Sequence, residues 1–543
     1  MTTTSNPAHG HFIGVDVGTG SARAGVFTED GRMIGTDKCA VAIYREGGVI
    51  VEQSSDDIWQ AVVRSVRGAM AASGVEPERI LGIGFDATCS LVVLGKDGQP
   101  LPVGNPAHLE RNVMVWMDHR AVEQAERINA TDHAVLKYVG GRISPEMETP
   151  KLLWLKENRP EIYAQAWQFM DLTDFLTWRA TGDLSRSICT VTCKWTYLGH
   201  ERAWDRSYFD AIGLGDLARD GFSRIGAKVV DAGSPLKEGL SAAAAKELGL
   251  RAGTPVGAGL IDAHAGGIGS VGAKGGGGAE ANLAYVFGTS SCTMTTTRDP
   301  VFVPGVWGPY YSAMVPGVWL NEGGQSAAGA AIDQLLEFHP HASEAHAEAA
   351  RDEQSLPSWL AQRAERLLES GTNIAELARG LHVVPEFLGN RAPHADPHTR
   401  AVIAGLGMER DLDSLVSLYI AGLCGIGYGL RQIIEAQAKA GAAIDQIVIS
   451  GGAGRSDLIR QLLSDATGVR LAAPAADEPV LLGSAILGAV AAGVYSDIPT
   501  AMERMSRFAR VHEPQGGAIR DLHDARFSIF EQFQSVARQA ARS

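Results

Sequence analysis

The length, composition and charge of the chain indicate an acidic, folded protein with room for two domains. At 543 residues it exceeds the size at which a single hydrophobic core stops growing, so two domains with a cleft between them are expected. Apolar residues make up 45% and charged residues 20%, which argues against a disordered chain. The net charge of −14 argues against nucleic acid as a partner, because most of the surface would repel a polyanion.

The cysteines and the apolar segments predict a cytoplasmic protein that does not enter a membrane. The six cysteines include no Cys-x-x-Cys pair, which indicates free thiols in a reducing compartment, and Cys189 and Cys193 are interpreted as packing residues. Residues 1–10 lack the basic and apolar parts of a signal peptide and are predicted to be a disordered tail. The apolar segment 481–493 is too short to span a bilayer and predicts a packed helix.

The first half of the chain shows strand and helix signals in close succession. Residues 11–38 contain two strand-like runs, the second punctuated by a Glu-Asp-Gly turn signal at 29–31. An amphipathic helix is predicted around 56–73, and a strand-like segment follows at 78–98. These elements predict a mixed α/β domain.

A second half, beginning after residue 255, repeats this pattern. Residues 282–296 place a Gly-Thr-Ser sequence between two strand-like runs, as the Gly-Thr-Gly sequence does near the N-terminus. Residues 443–468 have the pattern of strand, glycine loop and helix, while the helix-rich stretch 339–380 carries no recognisable chemistry. Repetition at about half the chain length predicts two related domains.

The segment DVGTGSAR at 16–23 has the composition of a phosphate-binding loop. Its glycines would let backbone N–H groups approach an anion, and Asp16 could hold a metal ion beside the phosphates. A plain hairpin turn is the alternative. A Rossmann fingerprint is excluded because the third glycine is missing and a strand is predicted to follow, and the sequence contains no Walker loop. The candidate contacts are Gly18, Thr19, Gly20 and Ser21.

Two further glycine loops follow strand-like runs in the second half. FGTSSC at 287–292 offers small residues and hydroxyl groups, and SGGAGRS at 450–456 leads into a helix whose N-terminus favours negative charge. Three unrelated turns are the alternative. Three such loops, each at the end of a strand-like run, are better explained by one bound nucleotide.

Asp262 is an isolated acidic residue in the segment GLIDAHAGG, at the expected junction of the two halves. A carboxylate among small and apolar neighbours must be hydrogen-bonded, bound to a metal or functional, because burying an unpaired charge is costly. The nearby His264 is interpreted as a local hydrogen-bond partner rather than a metal ligand.

The segment WMDHR at 116–120 combines an aromatic ring with polar side chains, which suits a sugar. The ring can cover a carbon-bound face of the sugar while Asp118, His119 and Arg120 meet its hydroxyl groups. A surface cluster of salt bridges is the alternative for the same residues.

Taken in their order, these motifs resemble those of the FGGY carbohydrate kinases, which are relatives of actin, Hsp70 and hexokinase. The segment FLGNRAPHADPHTR at 387–400 contributes to the resemblance. The resemblance implies an α/β fold with two RNase H-like domains of the actin and hexokinase ATPase superfamily and a catalytic cleft between them. It implies an N-terminal FGGY domain at 11–266 and a C-terminal FGGY domain at 267–543.

The resemblance also implies that ATP and Mg²⁺ bind in the cleft. The loop at 16–23, including Arg23, and the loop at 287–292 would hold the β- and γ-phosphates, with Asp16 and Asp262 near the magnesium ion. Asp262 occupies the position of the family's catalytic base. The remaining implied nucleotide contacts are Gly288, Thr289, Ser290, Gly329, Asp333, Gly451, Gly452 and Ser456.

Within the family, segments such as GFDATCS at 84–90 and NEGGQSAAG at 321–329 look most like the ribulokinase branch. The sugar contacts expected on this basis are Asp86, Ala87, Lys194 and Glu322, in addition to Asp118 and His119. D-ribulose, phosphorylated at its C5 hydroxyl, is the expected acceptor because 138–163 resembles pentulose kinases grouped with D-ribulokinase. Ribitol, L-ribulose, xylulose and other polyols stay open, as do a homodimer and a nucleotide-dependent binding protein of the actin and Hsp70 type.

Overall fold

The computed structural model describes residues 10–368, 372–452 and 456–542. The strands of the first half are β1 (His11–Gly18), β2 (Ser21–Thr28), β3 (Met33–Ala40), β4 (Tyr44–Glu46), β5 (Ile50–Gln53), β6 (Ile80–Ala87), β7 (Leu91–Leu94), β8 (Val113–Met114), β9 (Gln168–Asp171), β10 (Arg186–Ser187), β11 (Val229–Val230) and β12 (Leu260–Ile261). The helices of the first half are α1 (Ser55–Ser73), α2 (Val122–Asn129), α3 (Glu148–Asn158), α4 (Pro160–Gln165), α5 (Leu172–Thr181), α6 (Ile188–Lys194), α7 (Arg206–Ala211), α8 (Gly215–Arg219), α9 (Ala242–Leu248) and α10 (Asp262–Ile268).

The second half has fewer strands and longer helices. Its strands are β13 (Asn282–Phe287), β14 (Ser291–Thr297), β15 (Trp307–Tyr311), β16 (Trp319–Gln325), β17 (His382–Val384), β18 (Val402–Ala404), β19 (Gln446–Ser450), β20 (Arg470–Pro474) and β21 (Phe508–His512). Its helices are α11 (Gly329–Glu337), α12 (Ala342–Arg351), α13 (Leu356–Leu367), α14 (Leu412–Lys439), α15 (Asp457–Thr467), α16 (Pro479–Ala491), α17 (Ile498–Met505) and α18 (Ala518–Ala540).

The two large sheets repeat one topology. In the first, the strand order is β12-β6-β1-β2-β3, with β1 antiparallel to β2 and parallel to β6. In the second, the order β20-β19-β13-β14-β16 has the same directions, with β15 and β21 added at the edges. The prediction of an α/β fold built from two related halves is therefore confirmed.

The elements predicted in the first half are present, with one refinement. The helix expected at 56–73 is α1, which begins after Ser54 caps the N–H of Asp57 and ends where Gly74 adopts a left-handed φ of 64°. The strand-like segment 78–98 forms β6 and β7, which belong to different sheets. The polypeptide leaves the first sheet after β6 and enters another sheet at β7, so β6 ends at the edge where its last side chains can contribute to a site.

Helix α16 joins the two halves through glycines. It packs across β1 and β6. A Cβ atom added at Gly14 of β1 would lie 1.9 Å from the Leu481 carbonyl oxygen, and one added at Gly84 of β6 would lie 2.0 Å from the Ser484 carbonyl oxygen. Only glycine permits so close an approach between a strand and a helix. The predicted packed helix at 481–493 thus corresponds to α16, a segment from the second half that covers the first sheet.

Helix α14 is the long apolar helix of the second core. Its length and composition would allow it to cross a membrane, but 78% of its apolar window is buried within the protein. Its neighbours include α11 and α15. Burial by protein on this scale is typical of a core helix.

Candidate active site

Three carboxylates meet where adjacent parallel strands of the first sheet end. Asp16 on β1 lies in register with Asp86 on β6, and β12 pairs with the last two residues of β6. Asp262 follows β12 directly and begins α10. Since the carboxyl ends of neighbouring parallel strands lie at one edge of a sheet, the strand order itself gathers these acids.

Asp16 and Asp86 are buried but have different partners. Asp16 is ion-paired with Arg23, whose Nε donates to Oδ2 at 2.8 Å and whose Nη1 reaches Glu478 at 2.6 Å. Asp86 accepts a hydrogen bond from the Ser484 hydroxyl of α16 at 2.5 Å through Oδ2, while its buried Oδ1 has no hydrogen-bond partner among the described residues. Burial, aided by the charge of Asp16, raises the pKa of Asp86 well above its ordinary value.

Asp262 is half-buried at the N-terminus of α10. Its Oδ1 accepts the N–H of Ala263 at 2.7 Å. Burial raises the pKa of Asp262 to about 6, and the charge of Asp16 adds to the increase. The Ala263 N–H, His264 and Lys194 oppose this increase. A carboxylate in this environment can accept a proton close to neutral pH.

The turn between β1 and β2 forms the first predicted phosphate loop. The side-chain amide of Gln53 donates to the Thr19 carbonyl at 2.7 Å, and the indole N–H of Trp116 donates to the Thr19 hydroxyl at 3.0 Å. A Cβ atom added at Gly20 would meet nothing within 4 Å, and one added at Gly18 would meet a single carbonyl oxygen at 3.8 Å. Neither glycine has a left-handed φ. Packing and conformation therefore do not require these glycines, whereas a ligand resting on the backbone would.

The turn between β13 and β14 forms the second loop, and α11 holds it in place. The N–H of Gly329 donates to the Gly288 carbonyl at 2.9 Å, and the N–H of Ala330 donates to the Thr289 carbonyl at 3.1 Å. A Cβ atom added at Gly288 would find its nearest neighbour, the Ser290 carbonyl oxygen, at 3.7 Å. The second loop thus repeats the open backbone of the first.

A cavity of about 710 Å³ opens beside the second loop. Six residues predicted to contact a nucleotide line it: Gly288, Thr289, Gly329, Asp333, Gly452 and Ser456. Ile332, Tyr419 and Leu423 give it an apolar wall. Helix α13, within the stretch where the sequence showed no chemistry, contributes Ser358 and Gln362. Apolar walls with a few polar groups are typical of a small-molecule site.

The third predicted loop is described only in part, since 453–455 lie outside the described residues. Gly451 has a φ of 92°, and a Cβ atom there would lie 2.4 Å from the Phe287 carbonyl oxygen. A Cβ atom added at Gly452 would meet no atom of the described residues within 4 Å. The Ser456 hydroxyl caps α15 by accepting the N–H of Ile459 at 3.4 Å. This loop therefore ends at a helix N-terminus that faces the cavity.

Lys194, at the end of α6, is a buried cation in the first half. Its Nζ lies 5.2 Å from the ring centroid of Trp307, and the part of the chain that the structure describes gives it neither a hydrogen bond nor an ion pair. Burial opposes its charge, but Cys89 and Glu322 keep the pKa of Lys194 well above its ordinary value. A buried ammonium group whose N–H donors have no partner among the described residues can donate hydrogen bonds to a polar ligand.

Glu322 lies on β16, opposite Trp307 on β15. Its Oε2 is 3.5 Å from Nε2 of His264, and its Oε1 is 3.7 Å from the Cys292 sulfur. Burial favours the neutral acid, but His264 and Lys194 outweigh it and lower the pKa of Glu322 to about 2. Glu322 is therefore an anion that can accept hydrogen bonds from hydroxyl groups.

The residues of the segment WMDHR have different partners in the structure. Asp118 and Arg120 form a buried ion pair at 2.6 Å, and Arg120 also reaches Glu52 at 2.7 Å. The Val51 N–H donates to Oδ2 of Asp118 at 2.7 Å. In the structure Asp118 is therefore part of a buried salt-bridge cluster, as in the alternative interpretation of this motif. His119 stays half-exposed, with Nε2 3.5 Å from the carboxylate of Glu146.

Some residues around the cleft were missed by the sequence analysis. Trp307 lies opposite Glu322 because β15 pairs with β16, and it faces Lys194 because α6 packs against β15. The Arg391 guanidinium lies 5.7 Å from the centroid of the same ring. Burial raises the pKa of Glu146 and of Glu322, and the larger opposing effects come from His119 on Glu146, from His264 on Glu322 and from Lys194 on both; Arg391 lowers the two pKa values further. Arg391 lies in the segment 387–400 that contributes to the family resemblance, but no role was predicted for it, and no local pattern marks Trp307. Ala87, a predicted contact, is buried at the end of β6 beside Asp86.

Comparison with known proteins places the chain in one family. Residues 11–269 match the N-terminal domain of the FGGY family of carbohydrate kinases, and residues 283–492 match its C-terminal domain. An FGGY carbohydrate kinase domain-containing protein of Homo sapiens is 44% identical over 531 residues, covering 96% of this chain and 95% of that protein. A D-ribulokinase of Saccharomyces cerevisiae is 38% identical over 517 residues, covering 90% of this chain and 72% of that protein.

The fold has close counterparts among solved structures. A xylulose kinase from Rhodospirillum rubrum superimposes with a TM-score of 0.80 at 19% identity, covering 98% of this chain and all of that one (100%). The strand order, the paired loops and the family matches agree with one another. The chain belongs to the FGGY family of carbohydrate kinases, on its ribulokinase-like branch, and is a sugar kinase.

Proposed function

We propose that this sugar kinase transfers the γ-phosphoryl group of ATP to the C5 hydroxyl of a pentulose, with D-ribulose as the first choice. The observation that carries the proposal is the position of Asp262. It is a half-buried carboxylate at the start of α10, beside Asp16 and Asp86 and within the electrostatic influence of Lys194. Helix α10, which begins with Asp262, packs against β1 of the first sheet and β13 of the second, the first strands of the two loop-bearing hairpins.

The cavity beside the second loop supports ATP as the phosphoryl donor. Its apolar wall suits a base, and its glycines leave backbone open toward the phosphates. Phosphoryl transfer requires little covalent chemistry from the protein and depends on positioning and on neutralisation of charge. Backbone N–H groups at the two hairpin turns, together with the N-terminus of α15, can supply that positioning.

The carboxylate cluster fits a magnesium ion. Mg²⁺ prefers oxygen ligands and is usually held by one or two carboxylates plus phosphate oxygens. Asp16 and Asp262 are the proposed protein ligands, directly or through water, and the buried, unpartnered Oδ1 of Asp86 provides a further oxygen in the same cluster of described residues. When bound, the ion would neutralise negative charge on the β- and γ-phosphates. Arg23 holds Asp16 in place for this role.

Asp262 acts in this proposal as the general base. It accepts the proton of the attacking hydroxyl as the oxygen approaches the γ-phosphorus, a role that depends on hydrogen-bond reach. The helix N-terminus behind it stabilises its negative charge before transfer. Lys194 and Glu322 hold other hydroxyl groups of the sugar, one as a donor and one as an acceptor. Closure of the two halves would exclude water from the phosphoryl group.

The choice of D-ribulose draws support from the yeast relative, which is named a D-ribulokinase. One misplaced hydroxyl changes the binding free energy by only a few kcal/mol, so ribitol, L-ribulose and xylulose are natural competitors.

The cysteines support our prediction of a reducing, cytoplasmic location. All six are free: Cys39, Cys89, Cys189, Cys193, Cys292 and Cys424.

The experiment that tests this function is coupled ADP release across a panel of pentuloses, pentitols, glycerol and hexoses. We expect D-ribulose to give the highest kcat/KM, and a product phosphorylated at C5 by NMR. A different best acceptor would change the substrate and keep the kinase chemistry. A protein that releases ADP at the same rate with and without every acceptor would contradict sugar phosphorylation by this site.

A further inference from the structure

Three side chains close to Asp262 in sequence or in space, two of them fully buried and the third largely buried, form a continuous chain of contacts. The Cys189 sulfur on α6 lies 3.1 Å from Nδ1 of His264 on α10, and Nε2 of His264 lies 3.5 Å from Oε2 of Glu322 on β16. Cys189 and His264 are fully buried. The chain therefore links a residue of the first half, next to the catalytic base, to a sugar contact on the second half.

The sulfur of Cys189 also holds the segment that leads into Asp262. It accepts the N–H of Ile261, the last residue of β12, at 3.4 Å. Cys189 thus contacts both the residue before Asp262 and the residue two positions after it. A single buried atom fixes the start of α10 and one side of the His264 ring.

His264 is the side chain best placed to orient Glu322. With Nδ1 on the Cys189 sulfur, the ring presents Nε2 to Glu322, and this buried nitrogen has no hydrogen bond of its own within the described ranges. Among the described residues, the other oxygen of Glu322 has only the weak contact with the Cys292 thiol at 3.7 Å. A carboxylate as largely buried as that of Glu322 needs such a partner, because an uncompensated charge is costly in the interior.

We infer that His264, held by Cys189, is a positioning residue that fixes the carboxylate of Glu322 for the sugar. The inference rests on the proposed function, since it assumes that Glu322 accepts hydrogen bonds from the sugar. Because His264 follows Asp262 by two residues on the same helix, it sets the distance between the acceptor-binding carboxylate and the general base across the two halves. Neither Cys189 nor His264 needs to touch the sugar.

Two of these side chains also belong to a candidate metal site. The donor atoms of Cys189, Cys193 and His264 lie within 4.8 Å of one another, and two sulfurs with one imidazole suit zinc. With a metal ion bound, the Cys189 sulfur and His264 Nδ1 would be ligands rather than partners in a hydrogen bond. Metal analysis of the purified protein separates the two interpretations.

Two histidine variants test the positioning role. The amide nitrogen of His264→Gln can reach the position of Nε2, whereas that of His264→Asn reaches only the position of Nδ1. We expect His264→Asn to raise the KM for the sugar about tenfold or more, as the loss of a charge-assisted contact would. We expect His264→Gln to recover most of that loss. The KM for ATP should stay unchanged in both variants, because His264 does not line the nucleotide cavity.

Cys189→Ala and Cys424→Ala form a matched pair of controls. Both remove a fully buried thiol, but Cys424 lies on α14 in the second core. We expect only Cys189→Ala to raise the KM for the sugar, and Cys189→Ser, which keeps a hydrogen-bonding atom, to restore it in part. Sugar binding without ATP, followed by tryptophan fluorescence, gives an affinity that does not depend on turnover. Melting temperatures show which variants are folded.

The results that would overturn the inference differ from those that would overturn the proposed function. Equal sugar affinity in wild type, His264→Asn and His264→Gln would overturn the positioning role, as would equal losses for sugar and ATP. Stoichiometric zinc in the purified protein would also overturn it. If the asparagine variant does not fold, unchanged sugar affinity in the folded Cys189→Ala protein overturns the positioning role in its place. A wild-type protein without any sugar-dependent ADP release would instead overturn the proposed function.

Discussion

Replacing Gly20 by alanine tests whether this glycine is required for stability or for ATP binding. Gly20 lies in the first hairpin turn, where an added Cβ atom meets no protein atom within 4 Å and φ is not left-handed. Replacing a glycine by alanine under these conditions leaves stability unchanged or raises it by about 0.4–1 kcal/mol, because the unfolded chain loses freedom. The methyl group would nevertheless occupy the space where backbone N–H groups would meet the phosphates of ATP.

The expected loss of affinity follows from that geometry. A hydrogen bond to a charged group contributes about 1.5–3 kcal/mol, which corresponds to roughly a 10–100-fold rise in the KM for ATP. The control is Gly14→Ala on the same strand pair, whose Cβ atom would lie 1.9 Å from the Leu481 carbonyl oxygen of α16. That variant should lose stability by about 1–3 kcal/mol or more through overpacking.

The assay combines thermal unfolding with initial rates at varied ATP. We expect Gly20→Ala to melt no lower than wild type while its KM for ATP rises, and Gly14→Ala to melt lower. A Gly20→Ala protein with both the stability and the ATP affinity of wild type would refute the assignment of this turn to the phosphates.

Three other changes probe the site and its supports. Arg120→Ala should lower the free energy of unfolding by about 3–5 kcal/mol in urea titrations, because it leaves the buried carboxylates of Asp118 and Glu52 without their cation; unchanged stability would contradict this. Trp116→Phe should raise the KM for ATP about fivefold by removing the roughly 1 kcal/mol hydrogen bond to Thr19; a change in sugar KM alone would not fit. EDTA should abolish ADP formation and Mg²⁺ restore it, with circular dichroism unchanged; full activity in EDTA would exclude the metal role.

The loops and the repeated architecture could be predicted because their signals are local. The glycine and hydroxyl residues at 16–23 and 287–292 are adjacent in sequence, and each hairpin turn brings them together locally; distant segments then hold the turns in place. The isolated acid at Asp262 was visible for the same reason, since its neighbours in sequence are small and apolar. The roles given to these residues stay predictions until they are tested.

The rest of the site depends on contacts between distant segments. Trp307 meets Lys194 only through the packing of β15 against α6, and Gln362 reaches the cavity only through the packing of α13. Asp118 illustrates the opposite case. Its motif suggested a sugar contact, but Glu52, which is distant in sequence, shares Arg120 with it in a buried network. The spacing of residues in the sequence does not indicate such tertiary partners.

The central claim, that Asp262 is the general base, is tested most directly by the turnover of Asp262→Asn with saturating ATP and D-ribulose. General-base catalysis contributes about 10²–10⁴-fold, so we expect kcat to fall by at least about 100-fold while the substituted protein still binds both substrates and melts as wild type does. An Asp262→Asn protein with wild-type turnover would contradict the account.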